Sequence, residues 1–147
     1  MTDELTRPLA SLRQAGLPFY PLILVFATGQ VSDEDCMAMK RVPMPELGAP
    51  FDSSLSHTLS EAFAKNSSIH DGAIIFTRNR QGEPYTLSAW SMRIVSKKKP
   101  RAPEPNFGSA YNSALSLSMA ENIDMCCIIS PDRTTLFQNG TSHFSET

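Results

Sequence analysis

The chain has 147 residues, 41% of them hydrophobic, with a net charge of −2 and a sequence pI near 5.9. That length favours a single domain over residues 1–147, the apolar share is enough for a real core, and a second folded domain is not expected. The charge balance argues against DNA or RNA as a partner, the local basic cluster Lys97, Lys98, Lys99 and Arg101 notwithstanding.

The opening "MTDELTRPLASLRQ" is acidic and polar where a secretory signal is basic and then apolar, so a cytoplasmic location is expected. Thr6 is predicted to cap a short helix in which Pro8 falls in the opening turn, Leu9 and Leu12 share a face, and Gly16 ends the element. The longest apolar run, residues 17–27, carries Pro18 and Pro21 and is far shorter than the roughly 20 residues that span a bilayer. No membrane contact is expected. Residues 20–27 read as a central strand instead. Residues 30–50, rich in Asp, Glu, Met and Pro without a period, are predicted as loop with at most a short acidic turn of helix.

Asp52 is the expected cap of an amphipathic helix whose stripe is Leu55, Leu59, Ala62 and Phe63 and which ends near Lys65-Asn66. Residues 73–77 form a second predicted strand, residues 79–82 a turn, and residues 85–90 a third strand completing a hairpin. Residues 96–108 combine four basic residues with three prolines and are predicted to be extended and mobile. A helix follows from Ser109, with Ala110, Ala114, Leu117 and Ala120 as its seam and Leu115 and Met119 beside it. Strands at 125–129 and 134–138 flank a turn at Pro131-Asp132-Arg133, and Asn139-Gly140 is taken to close the sheet. Hairpin and helix-separated connections together imply an α/β fold: a mixed central β-sheet with flanking helices. Cys36 and the neighbours Cys126 and Cys127 have no metal-ligand spacing, and adjacent strand residues face opposite ways, so all three are expected to be packing thiols.

The ionisable pair His70-Asp71 immediately before the apolar run at 73–77 needs a reason. From the residues alone, Asp71-Gly72 is a turn, His70 a hydrogen-bonded packing residue, and Gly72 either a kink or a point where a ligand approaches backbone. His70-Asp71-Gly72-Ala73 matches the D-G-A motif of the diadenylate cyclase (DAC) domain family, which condenses two ATP into cyclic di-AMP, and the chain resembles that family over residues 20–140. Phe51-Asp52-Ser53 with Ser56 and Leu59 occupies the place of an upstream family helix. Residues 108–115, "GSAYNSAL", align with the family's G-T-R-H-R-A-A-L, and residues 129–134, "ISPDRT", with its V-S-E-E-T-G.

The resemblance implies a DAC-like fold, Asp71 as the catalytic residue near the ATP 3′-hydroxyl if the domain is active, and Mg²⁺ or Mn²⁺ if it is catalytic or binds nucleotide as a metal complex. The metal donors it implies are Asp71, Ser130 and Asp132. The implied nucleotide-binding residues are His70, Gly72, Ala73, Gly108, Ser109, Ala110, Tyr111 and Asn112. The family's Arg-His-Arg, which handles phosphates, is here Ala110-Tyr111-Asn112, and its paired glutamates are Pro131 and Asp132. Phosphoryl transfer depends on neutralising charge as it develops, so losing two guanidinium groups is not conservative. The expected function is therefore a sensor or regulatory module that binds an adenine nucleotide or cyclic dinucleotide with little or no synthesis. An active divergent cyclase using Asp71 and a divalent metal is the alternative, and a protein-interaction scaffold a further one. A homo-oligomer or a separate effector protein is the expected macromolecular partner. Helix-start amides at 108–111 and the lysines of the basic segment are the remaining candidates for holding phosphate.

Overall fold

The most apolar run of the chain becomes β1 (Leu22–Thr28), in which Leu24, Val25, Phe26 and Ala27 are fully shielded from solvent. A strand buried on both faces needs a packing layer on each side. In a computed structural model, which describes residues 3–99 and 108–145, those layers are α1 (Asp3–Ala15) with α2 (Leu55–Lys65) on one face and α3 (Gly108–Leu117) on the other. Between them lies one seven-stranded mixed sheet of order β2-β4-β3-β1-β5-β6-β7, with β1 at its centre. The remaining strands are β2 (Cys36–Ala38), β3 (Ala73–Arg78), β4 (Thr86–Ile94), β5 (Ile123–Ile129), β6 (Thr134–Gln138) and β7 (Thr141–Ser145).

β1 pairs in parallel with β3, Leu24 opposite Ile74, and antiparallel with β5, Leu24 opposite Cys127. A parallel pair requires a long crossover, which the β2 segment and α2 supply. Alternation along the strands then sorts the core: Leu24, Phe26, Ile74, Phe76 and Cys127 face α1 and α2, while Val25, Ala73, Ile75 and Cys126 face α3. The two adjacent cysteines thus fall in different layers, as their spacing predicts. The amphipathic stripes do the rest, with Leu5, Leu9 and Leu12 of α1 and Leu55, Leu59 and Ala62 of α2 buried.

Several boundaries differ from the sequence reading, each for a local reason. α1 begins at Asp3 rather than at a Thr6 cap, because Leu5 extends the buried stripe by one turn; Pro8 therefore lies inside the helix. Ser54, not Asp52, is the residue before α2. Asp52 instead accepts hydrogen bonds through Oδ1 from the Ser54 backbone N–H (2.9 Å) and hydroxyl (2.5 Å), which hold its carboxyl below the usual range. The segment at 30–50 contributes a strand, β2, paired with β4 through Cys36 opposite Ile94. Asn139 and Gly140 do not end the sheet. Both have positive φ (49° and 77°), the signature of a tight hairpin turn, and they lead into β7. α3 stops at Leu117, so Ala120 packs from the following turn. The expected mobile segment at 96–108 lies largely outside the described residues; at its start, the Ser116 hydroxyl donates to the Lys98 carbonyl at 2.5 Å and fixes that backbone to α3.

Candidate functional site

The stretch between α2 and β3 is built to deliver Asp71 to the rim of the sheet. A 3₁₀ turn, Ser67–His70, begins with the Asn66 side chain accepting from the Ser68 N–H at 3.0 Å. His70 closes that turn through a 2.8 Å hydrogen bond between Nδ1 and the Ser67 carbonyl, and its ring meets Phe19 edge-on at 6.3 Å. The chain must then reverse into β3, and Gly72 does so at φ +89°. A Cβ there would sit 2.6 Å from Met39 Cε and 2.9 Å from the Ser91 carbonyl carbon, so the close approach that Gly72 permits is to β4 backbone. Ser91 answers it with its own positive φ of 51°, at an irregularity in the β3–β4 register, a bulge that turns the end of β4. In sequence Gly72 reads equally as a kink or a ligand contact; in the fold the protein's own backbone already uses it.

Between this bulge and the start of α3 lies a cleft of 520 Å³. Asp71, Gly72 and Ala73 form one side, Ser109, Ala110 and Ser113 the other, and Ile23, Met92 and Ile94 lie between them. The structure therefore brings together five of the residues singled out from sequence: Asp71, Gly72, Ala73, Ser109 and Ala110. Others are placed elsewhere. His70 is occupied in its own turn. Gly108 is exposed at φ +88°, its carbonyl accepting from the Asn112 side-chain amide at 3.0 Å, and neither residue lines the cleft. Tyr111 is buried edge-on against Phe137 at 5.0 Å, with its hydroxyl hydrogen-bonded to Ser142.

Tyr111 also borders a second hollow, of 430 Å³, together with Ser130, Asp132 and Arg133. Ala110 is the wall between the two hollows. Asp71 on one side and Ser130 and Asp132 on the other are thus not one ligand set, and Asp132 is ion-paired with Arg133 at 3.5 Å. Lys97 and Lys98 line a further hollow beside Asp33, Glu34 and Asp35, away from the Asp71 cleft. Arg101 lies outside the described residues.

Sequence reasoning missed two arginines here: Arg93 of β4, which lines the cleft itself, and Arg41, from the unpatterned loop after β2, which stands beside Asp71. Arg41 Nη2 lies 3.8 Å from Asp71 Oδ2, and its side chain is only 16% exposed against 69% for Asp71. Nε donates to the Ser68 carbonyl and to the Ser91 hydroxyl, both at 3.2 Å, and Nη1 to the Lys40 carbonyl at 3.1 Å. No motif or period marks it. Arg41 is visible only when the 3₁₀ turn, the β4 bulge and the loop meet in space. Its position also bears on metal binding: Mg²⁺ needs near-octahedral oxygen donors, with one or two carboxylates among them. Among the described residues, Asp71 is the one carboxylate that lines the cleft, it has a guanidinium beside it, and no group of three or more His, Cys, Asp or Glu is arranged to hold an ion. Among the described residues, the donors present do not by themselves make a divalent-metal site.

No protein-family model matches the chain, and no curated protein sequence does. Two solved structures resemble it in fold. A hypothetical membrane spanning protein from Bacillus cereus superimposes with a TM-score of 0.64 at 17% identity, over 97% of this chain and 61% of that one. This chain therefore spans less than two thirds of that protein's length, and no helix among its described residues is long and apolar enough to cross a membrane. DacA from Staphylococcus aureus, as a double mutant, superimposes with a TM-score of 0.58 at 15% identity, over 98% of this chain and 85% of that one. Identities this low speak to fold alone, and the fold is DAC-like: a seven-stranded mixed sheet between helices.

Proposed function

We propose that this domain binds an adenine nucleotide or cyclic dinucleotide in the Asp71 cleft and acts as a sensor or regulatory module, making little or no cyclic di-AMP. The observation that carries the reading is the meeting of Asp71, Gly72 and Ala73 with Ser109 and Ala110 across one 520 Å³ hollow in a DAC-like fold. That volume is within the range of small-molecule sites, and its mixed lining, with Ile23, Met92 and Ile94 beside Asp71, Arg93 and Ser109, suits a base, a ribose and phosphate. The first amides of α3 offer a positive dipole end to phosphate.

What is absent from the triplet argues against efficient synthesis. Ala110 carries no charge, the Tyr111 side chain is committed to the core, and the Asn112 amide donates to its own helix. Charge-neutralising donors of this kind contribute on the order of 10³ or more in rate to phosphoryl transfer. Calorimetric titration with ATP and with cyclic di-AMP, paired with a cyclic di-AMP synthesis assay in Mg²⁺ and Mn²⁺, tests the reading. Saturable binding with negligible product is expected. Robust synthesis abolished by Asp71→Asn would replace the reading with the cyclase, and binding of neither ligand would remove it.

A further inference from the structure

The position of Arg41 extends this reading in a direction that the family resemblance does not. Its guanidinium is held by the Ser68 and Lys40 carbonyls and the Ser91 hydroxyl, and Nη2 lies between the Met39 sulfur, at 3.9 Å, and Asp71 Oδ2, at 3.8 Å. Two of these contacts come from other segments, the 3₁₀ turn and β4, and the third from its own loop, so the group is pre-set rather than wandering on an exposed stem. Arginine does not lose its proton in proteins, so Asp71 carries a permanent counter-charge. A divalent ion arriving at this carboxylate would meet a fixed positive charge and, among the described residues, no second carboxylate lining the cleft. Phosphate arriving without metal would meet a carboxylate whose charge is already offset.

We propose that Arg41 takes over at Asp71 the charge compensation that a divalent cation would otherwise give, so that the cleft holds an adenine nucleotide without metal. This rests on the proposed nucleotide binding. It makes Arg41 a positioning residue: it acts on the ligand through Asp71.

The test is calorimetric titration of the full chain with ATP, in EDTA and in excess Mg²⁺, for the wild type and three variants: Arg41→Gln, Asp71→Asn and the double substitution. Wild-type affinity should be the same in the two buffers. Arg41→Gln should lose about tenfold in EDTA, the scale of one charged contact, because Asp71 then faces the phosphates uncompensated. That loss should be regained in Mg²⁺, and regained in EDTA when Asp71→Asn is added. A purely structural role for Arg41 would give no rescue by either route. Because the lost hydrogen bonds of Arg41 also loosen the loop if they matter to its fold, circular dichroism and thermal melting accompany each variant. Wild-type binding that needs Mg²⁺ by tenfold or more would overturn the metal-free inference while leaving the nucleotide reading in place. So would an Arg41→Gln loss that neither Mg²⁺ nor Asp71→Asn repairs. Absence of ATP binding in both buffers would remove the nucleotide reading and this inference with it.

Discussion

At the scale of single residues, burial and backbone geometry settle what composition leaves open. The sequence suggests three packing thiols, and all three are buried. Burial, with the Asp35 charge adding to it, pushes the Cys36 thiol up to about 12, and burial pushes Cys126 and Cys127 up as well. A thiol whose folded pKa is raised contributes stability that is full below its unfolded value and is lost as pH rises toward the folded one. Iodoacetamide should therefore label none of the three in the folded protein at neutral pH, and denaturation midpoints should fall as pH climbs from about 9 to 12. Rapid labelling of native protein would contradict this. Gly72 shows what a motif hides: its letter is legible, but its need comes from β4, whose backbone is not. Gly72→Ala should cost about 1–3 kcal/mol from backbone strain alone, more with the clash against Ser91, measured by urea unfolding; a stability unchanged within error would refute the close packing of Gly72 on β4.

Elements are legible where a period runs long enough. The i, i+4, i+7 stripe of α2 and the apolar run of β1 announce themselves, and so does the β3–β4 hairpin. β2 has only three residues, two of them exposed, so no alternation could mark it. β7 is different, because Asn139-Gly140 is a strong hairpin signal and a turn of that kind implies a strand after it as well as before. Gly140→Ala should cost about 1 kcal/mol or more, since its φ is 77° and a Cβ would lie 3.0 Å from Met119. Opposite the cleft-side end of β3, a polar knot joins strand ends that no sequence pattern links. The Thr28 hydroxyl and the Tyr85 hydroxyl donate to Asp124 Oδ2 at 2.5 and 2.6 Å, and Arg78 Nε donates to the Thr28 hydroxyl at 2.9 Å while its guanidinium stacks over Tyr85 at 4.4 Å. Arg78 is 4% exposed and Asp124 27%. Asp124→Ala would remove the carboxylate that Thr28, Tyr85 and Arg78 share, at a cost of about 2–3 kcal/mol, less than for a fully buried pair because Asp124 is partly solvated. A loss under about 0.5 kcal/mol, the scale of a surface change, would mean that the knot is incidental.

For the whole molecule, the order of strands and helices points to a DAC-like fold, and the superposition on DacA supports that fold. The site is less legible. Asp71, Ala73 and the start of α3 can be found by motif, but the splitting of Asp71 from Ser130 and Asp132 by Ala110, the burial of Tyr111 and the arrival of Arg41 are products of three-dimensional packing. The proposal that joins these features is a nucleotide bound between the Asp71 turn and α3 in a domain that does not turn it over efficiently. It is tested most directly by mapping ATP onto backbone amides with ¹⁵N–¹H correlation spectra. Saturable shifts confined to Gly72, Ala73, Ser109, Ala110 and their neighbours, with the ATP signals unchanged over the incubation, are expected. Shifts centred on another surface, no shifts at saturating ATP, or conversion of ATP to cyclic di-AMP in the tube would contradict it.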